Sequence, residues 1–285
     1  MIQWSDLISM FGLPFIQYAF IGGICAALLC SIIGVFIVLR RSSLIGEGVA
    51  HLSFGGIAVG LFFAIYPMLT AMILSLLGIL AISYLQRKKI VYSETAIGIL
   101  FSLGLAVGAV LSSMRGGFSV DLFSYLFGSI LTISPVDLAL ILVLTIAVMA
   151  FVITFFKELI HMTFDEQGAR LSEVPTKTFD LIFNIVVALT VIVSIKIIGT
   201  LLVSSLLIIP AASAMQLSNS FRGTVKWSIM LSVIAVILGL IASFAFDVAT
   251  GGAIVLISVA IFVICVLMKK IRKQELAAPV DSACE

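Results

Sequence analysis

The sequence predicts an all-α fold, a polytopic transmembrane helical bundle of about nine spans, with eight as the alternative count. Its N-terminus is expected outside and its C-terminus in the cytoplasm. Three observations carry this expectation. Of 285 residues, 62% are hydrophobic and 11% charged, with a mean hydropathy of +1.32, whereas a soluble domain carries roughly 25% charged residues. The apolar residues arrive in runs of about 20, the length that crosses a hydrocarbon core as helix, and not in the alternating ten-residue segments of an outer-membrane barrel. Lys and Arg gather at the ends of alternate runs, as they do on the cytoplasmic side of membrane proteins.

Taken in order, residues 1–13 place Trp4, Leu7, Ile8 and Phe11 at helical spacing among Ser5 and Asp6, which suits an amphipathic segment at the membrane surface. No basic n-region precedes them, so a cleavable signal is not expected. The transmembrane part is expected over 14–273. Span one covers 14–39 and stops at Arg40-Arg41; span two ends near Tyr66-Pro67; span three runs to Leu85, before Arg87-Lys88-Lys89; span four covers 94–112. Residues 120–133 form an amphipathic helix too short to cross comfortably, tolerated at depth where protein or water covers it. Span five is 136–156. A polar excursion over 157–177 follows, then spans at 179–194, 201–217, 225–246 and 252–268. The cluster Lys269 to Lys273 closes the membrane part, and 274–285 is expected as a disordered cytoplasmic tail. With alternating spans, Arg40, Arg41, Arg87, Lys88, Lys89, Lys157, Arg170, Lys177, Arg222, Lys226 and the Lys269 cluster all fall inside, while Arg115 and Lys196 fall outside.

The four cysteines form no CxxC pair, so neither a disulfide framework nor a zinc knuckle is expected. Nothing in the charge pattern suggests a nucleic-acid partner. The sequence has no Gly-x-x-x-x-Gly-Lys-Ser/Thr loop and no HExxH, which argues against a nucleotide-hydrolysing chain or an intramembrane metalloenzyme.

Three stretches stand above this background. In Leu44-Ile-Gly-Glu-Gly-Val-Ala-His-Leu-Ser-Phe-Gly-Gly56, Glu47 and one of the two histidines, His51, lie four residues apart. On a helix they share a face, one turn apart. An ionisable group within a bilayer costs roughly 2.5 to 3.5 kcal/mol even on insertion scales, so it is a functional candidate by default. Imidazole plus carboxylate suits a first-row divalent cation such as zinc, manganese or iron; a helix-start carboxylate beside a packed core histidine is the other reading. In the excursion, Asp165 is expected to cap a short helix ending before Pro175, with Glu166 in its first turn and Phe164 and Leu171 as exposed apolar anchors for a partner's groove. In 199–214, Thr200, Ser204 and Ala211 share a small-residue stripe and Pro210 invites a kink, which suits either close helix packing or a hinge along a pathway.

Together these segments resemble one family, the membrane permeases of bacterial ATP-driven importers for zinc, manganese and iron. The likeness runs in order through Gly34-Val-Phe-Ile-Val-Leu-Arg-Arg41, Gly46-Glu-Gly-Val-Ala-His-Leu52, Thr95-Ala-Ile-Gly98, Val120-Asp-Leu-Phe-Ser-Tyr-Leu-Phe-Gly128, Thr163-Phe-Asp-Glu166, 199–214 and Gly252-Ala-Ile-Val255. The family typically reads Gly-Asp-x-x-Ser-His at the first site; here Glu47 and Ala50 replace the Asp and Ser, and His51 matches. The resemblance implies a multi-pass protein of the bacterial cell (inner) membrane, without ATPase activity of its own and without a permanently bound cofactor. It implies a homodimer working with two cytoplasmic ATPase subunits, which bind ATP, and an extracytoplasmic metal-binding protein. It assigns Glu47 and His51 to the metal path, with Asp121 and Asp247 as weaker candidates at its mouth. Phe164, Asp165, Glu166 and Arg170 fall to the ATPase-coupling segment, while Thr200, Ser204 and Pro210, within the matching stretch 199–214, stay hinge candidates from their spacing alone. A proton-driven secondary transporter, with Glu47 and His51 as relay, is the rival reading.

Overall fold

Helix α1 (Pro14–Leu39) is apolar on every side and therefore belongs in the interior; sixteen of its residues, from Ile16 to Ile37, are buried. The computed structural model describes residues 14–88, 92–114, 120–129, 133–172 and 174–277. The expected N-terminal segment 1–13 and Arg115 lie outside the described residues. Around α1 stand α2 (Leu44–Phe63), α3 (Pro67–Arg87), α4 (Ser93–Met114), α5 (Val120–Phe127), α6 (Pro135–Thr154), α7 (Phe156–Phe164), α8 (Glu166–Leu171), α9 (Thr176–Ile198), α10 (Val203–Leu217), α11 (Phe221–Phe246) and α12 (Thr250–Ala277). No strand occurs among the described residues.

Eight of these helices are long and apolar enough to cross a membrane, and α10 is a shorter apolar helix. The eight divide by burial. In α1, α2 and α9, 72–78% of the most apolar window is buried, against 28–39% in α3, α4, α6, α11 and α12, so three inner helices are wrapped by five outer ones. The inner group packs as one apolar core in which Phe36, Ile33, Val49, Val191 and Ile195 take part.

Helix α10 has 15 residues, about 22 Å at the helical rise, shorter than a hydrocarbon core of about 30 Å. It survives because α1, α2, α11 and α12 surround it, so its ends meet protein and not lipid. Pro210 sits buried inside α10, which continues as helix on both sides of it. The expected short helix after 120 is eight residues long and ends at Gly128, whose φ is +77°.

The last helix runs further than the membrane-spanning pattern suggests. Residues 269–277 remain helical because Lys, Arg, Gln, Glu and Leu are good helix formers. Residues 274–277, expected in the tail, therefore belong to α12; 278–285 lie outside the described residues.

Candidate functional site

Glu47 lies in the first turn of α2, where the positive end of the helix favours a carboxylate, and is half-buried. His51, one turn on, is buried at 6% exposure. Its ring stands edge-on against Phe101 of α4, centroids 4.1 Å apart. Helix α4 comes this close because Gly55 and Gly104 meet: a Cβ on Gly104 would lie 2.2 Å from the His51 carbonyl oxygen, and one on Gly55 2.8 Å from that of Gly104. The glycines around the pair thus serve close helix approach. His51 Nδ1 is buried and has no hydrogen-bond partner. The large majority of buried side-chain polar atoms are paired in native proteins, and an unmade bond costs about 1–3 kcal/mol, which makes this nitrogen a candidate ligand. No group of three or more His, Cys, Asp or Glu able to hold a metal occurs among the described residues.

The break at 199–202 and the short α5 complete each other. The last turn of a helix leaves four carbonyls unpaired; here Thr200 N–H donates to Tyr125 O (2.9 Å) and Leu201 N–H to Leu126 O (3.2 Å). Both joints need glycine: Gly128 and Gly199 have φ of +77° and +91°, and a Cβ on either would lie 2.1–2.2 Å from a carbonyl oxygen of the other segment. Thr200 sits in this non-helical joint, 1% exposed and with its Oγ1 unpartnered. Ser204 is half-buried near the start of α10 and Pro210 is buried in its middle. The expected stripe is therefore split between a joint and a helix.

Sequence reasoning missed a cluster beside this joint. Lys196 Nζ lies 3.2 Å from Asp137 Oδ2, with side chains 7% and 2% exposed, and 4.6 Å from the centre of the Tyr125 ring. Asp137 also accepts from Ser134 N–H (2.9 Å), from Ser134 Oγ (2.8 Å) and from the Tyr66 hydroxyl. Burial first, and then the Asp137 carboxylate, push the Tyr66 phenol above its usual range, so Tyr66 stays protonated as a donor. The signal was present: a lysine between isoleucines at the end of a span calls for a buried partner. Asp247 caps α11 at φ +52°, is exposed, and lines a cavity of about 420 Å³ with Ser243, Thr250 and Gly128. Asp121 is in the first turn of α5, but its side chain lies outside the described residues.

At the opposite end, the excursion folds as α7 and α8. Asp165 caps α8 by accepting from Gly168 N–H at 2.8 Å. Glu166 pairs with Arg170, whose Nε donates to Thr176 Oγ1. Phe164 and Leu171 are 64% and 87% exposed beside a capped helix, Phe164 with its ring at 5.9 Å, nearly perpendicular, from that of Phe221.

Comparison with known proteins identifies the family. Residues 12–269 match the ABC 3 transport family. The chain is 32% identical over 252 residues to the high-affinity zinc uptake system membrane protein ZnuB of Haemophilus influenzae, covering 88% of this chain and 97% of that one. It is 33% identical over 250 residues to the manganese import system permease protein ScaB of Streptococcus gordonii (88% and 90% covered). Among solved structures, PsaBC from Streptococcus pneumoniae, in complex with Fab, superposes with a TM-score of 0.81 at 30% identity, covering 91% of this chain and 93% of that one. A chain folded as eight long apolar helices and matched over nearly its whole length in this way is a multi-pass membrane protein, and it belongs to the ABC 3 transport family of metal ABC-transporter permeases.

Proposed function

We propose that this chain is the permease subunit of an ATP-driven importer in which two copies form a path for a divalent transition metal, zinc or manganese, into the cytoplasm. Glu47 and His51 ligate the metal on its way. The segment 157–177 docks on a cytoplasmic ATPase through Phe164 and its capped α8, and an extracytoplasmic protein delivers the metal at the end where Asp247 lies. The observation that carries the reading is the buried, unpartnered Nδ1 of His51, one turn from Glu47 on an inner helix. Family membership and the zinc and manganese systems named among the relatives support the choice of cargo.

The test is metal content, element by element, in cells lacking the chain and in cells restored with wild type, His51→Ala or Glu47→Ala. Zinc or manganese is expected to fall on deletion and to return with wild type alone. Full restoration by both variants would remove the pair from the path. Metal uptake by the purified chain in a pH gradient, without ATPase or ATP, would replace the importer with a proton-driven carrier.

A further inference from the structure

The importer reading leaves a mechanical question: how movement at the ATPase-facing segment reaches Glu47 and His51. Arg40 occupies the joint. Its Nε donates to Thr163 Oγ1 in the last turn of α7 (3.1 Å) and its Nη1 to Asp180 Oδ1 in α9 (3.2 Å). Its guanidinium lies 4.5 Å from the centre of the Phe183 ring, and the side chain is 13% exposed. Thr163 already donates its hydroxyl proton to Leu159 O at 2.6 Å, so its lone pairs face the arginine in a fixed orientation.

From Arg40 to α2 the chain is stiff. Arg41 takes the left-handed conformation, φ +55°, while Ser42 N–H bonds Ile37 O (3.0 Å) and Arg41 N–H bonds Val38 O (3.1 Å). These are the two bonds of a Schellman closure, here without its usual glycine. Ile45 N–H then bonds Ser42 O (3.1 Å), so α2 starts at once, and Glu47 lies in its first turn. The joint also has somewhere to move. Arg40 shares a cavity of about 400 Å³ with Glu166 and Asp180, and its buried Nη2 has no hydrogen-bond partner, so a shift of α8 that brings Glu166 nearer can be captured by the same guanidinium.

We propose that Arg40 is a positioning residue that couples the ATPase-facing helix α7 to the start of α2, so that displacement of Thr163 shifts the metal-binding pair. This rests on the importer reading. Coupling of this kind needs evidence beyond adjacency, and the planar fork of arginine, which lysine cannot reproduce, supplies a test.

The permease is reconstituted in vesicles with its ATPase subunits and binding protein, and zinc or manganese imported per ATP hydrolysed is measured for wild type, Arg40→Met, Arg40→Lys, Thr163→Val and the Arg40→Met/Thr163→Val double variant. With co-purification of the ATPase retained, Arg40→Met is expected to lower metal per ATP about tenfold, within the usual range of coupling between sites. Arg40→Lys should fail to restore it, and the double variant should lose no more than Arg40→Met alone. An unchanged ratio in Arg40→Met, or full rescue by lysine, overturns the proposal. If Arg40→Met does not assemble, Thr163→Val decides, since it removes one hydrogen bond from an intact arginine: a lowered ratio supports the coupling and an unchanged ratio overturns it. A wild-type complex that moves no metal would instead overturn the importer reading itself.

Discussion

The buried pair Asp137–Lys196 makes a sharp prediction, because the two charges are worth little together and cost a great deal apart. At 3.2 Å and an effective dielectric of about 20, their attraction is about 5 kcal/mol. Desolvating each ion costs several kcal/mol, so the sum lies close to zero. Removing one partner is different: a single buried charge left behind costs about 3–5 kcal/mol. Lys196→Met strands a carboxylate that keeps its bonds from Ser134 and Tyr66, which places it at the lower end of that range. Asp137→Asn strands an ammonium at 7% exposure and belongs at the upper end. The double variant removes both charges, while the amide oxygen that replaces the carboxylate still accepts from Tyr66. It is therefore expected to be more stable than either single variant. The assay is thermal denaturation of the detergent-purified protein, followed by the monodisperse fraction on size exclusion. At about 2–4 °C per kcal/mol for a chain approaching this size, the single variants should lose about 6–20 °C and the double variant clearly less. Additive losses, or a Lys196→Met protein within about 2 °C of wild type, less than the shift expected from even 1 kcal/mol, would refute the reasoning.

Four further outcomes follow from the geometry. Gly128→Ala forces a side chain into φ +77° with its Cβ 2.1 Å from Ile197 O and should abolish stable protein on size exclusion. Gly98→Ala, with nothing within 4 Å of the new methyl, should match wild type or gain up to about 1 kcal/mol from helix propensity. Phe164→Ala and Asp165→Ala should leave the fold intact, the second losing about 1 kcal/mol of local capping, yet both should reduce co-purification of the ATPase; unchanged pull-down would place the docking elsewhere. Glu47→Asp shortens the ligand by one methylene at the same helical position, and isothermal titration of the purified protein should show a changed zinc-to-manganese preference rather than loss of binding; identical affinities would mean that Glu47 does not touch the metal.

The spans were legible because bilayer thickness imposes a length and an apolar pattern that no local competition hides. The cap at Asp165 and the exposed Phe164 and Leu171 were legible because short-range chemistry decides them. The glycines around Glu47 were visible as a group, but their use was not: that they admit α4 at Gly55 and Gly104 is a fact about a partner about 50 residues away in sequence. The polar bridges were hidden for the same reason. Asp137 and Asp180 raised no expectation in the sequence, because their partners Lys196 and Arg40 lie 59 and 140 residues away. The stripe of Thr200 and Ser204 failed as a stripe because Gly199 stops α9 and the helix restarts only at Val203.

The two bridges sit at opposite ends of the same helix. Asp180 lies in the second turn of α9 and Lys196 in its last, about 24 Å apart along the axis. The first holds Arg40, just before α2, and the second holds, through Asp137, the hydroxyl of Tyr66, just after α2. Helix α2 is therefore fastened to α9 at both ends by charged groups, while between the fastenings its contacts with α4 are backbone-close and glycine-lined. Directional bonds join the ends to α9, and the close approach at Gly55 and Gly104 ties the middle to α4. A shift of the start of α2 would carry Glu47 and His51 together, since they share one face. Two donors on one chain are too few for a closed site, whereas structural zinc takes four; a second copy bringing its own pair would make four. Under the proposed importer reading, a pair carried on the start of α2 would offer those four donors in one state and withdraw them in another, as a path that must also release its ion requires.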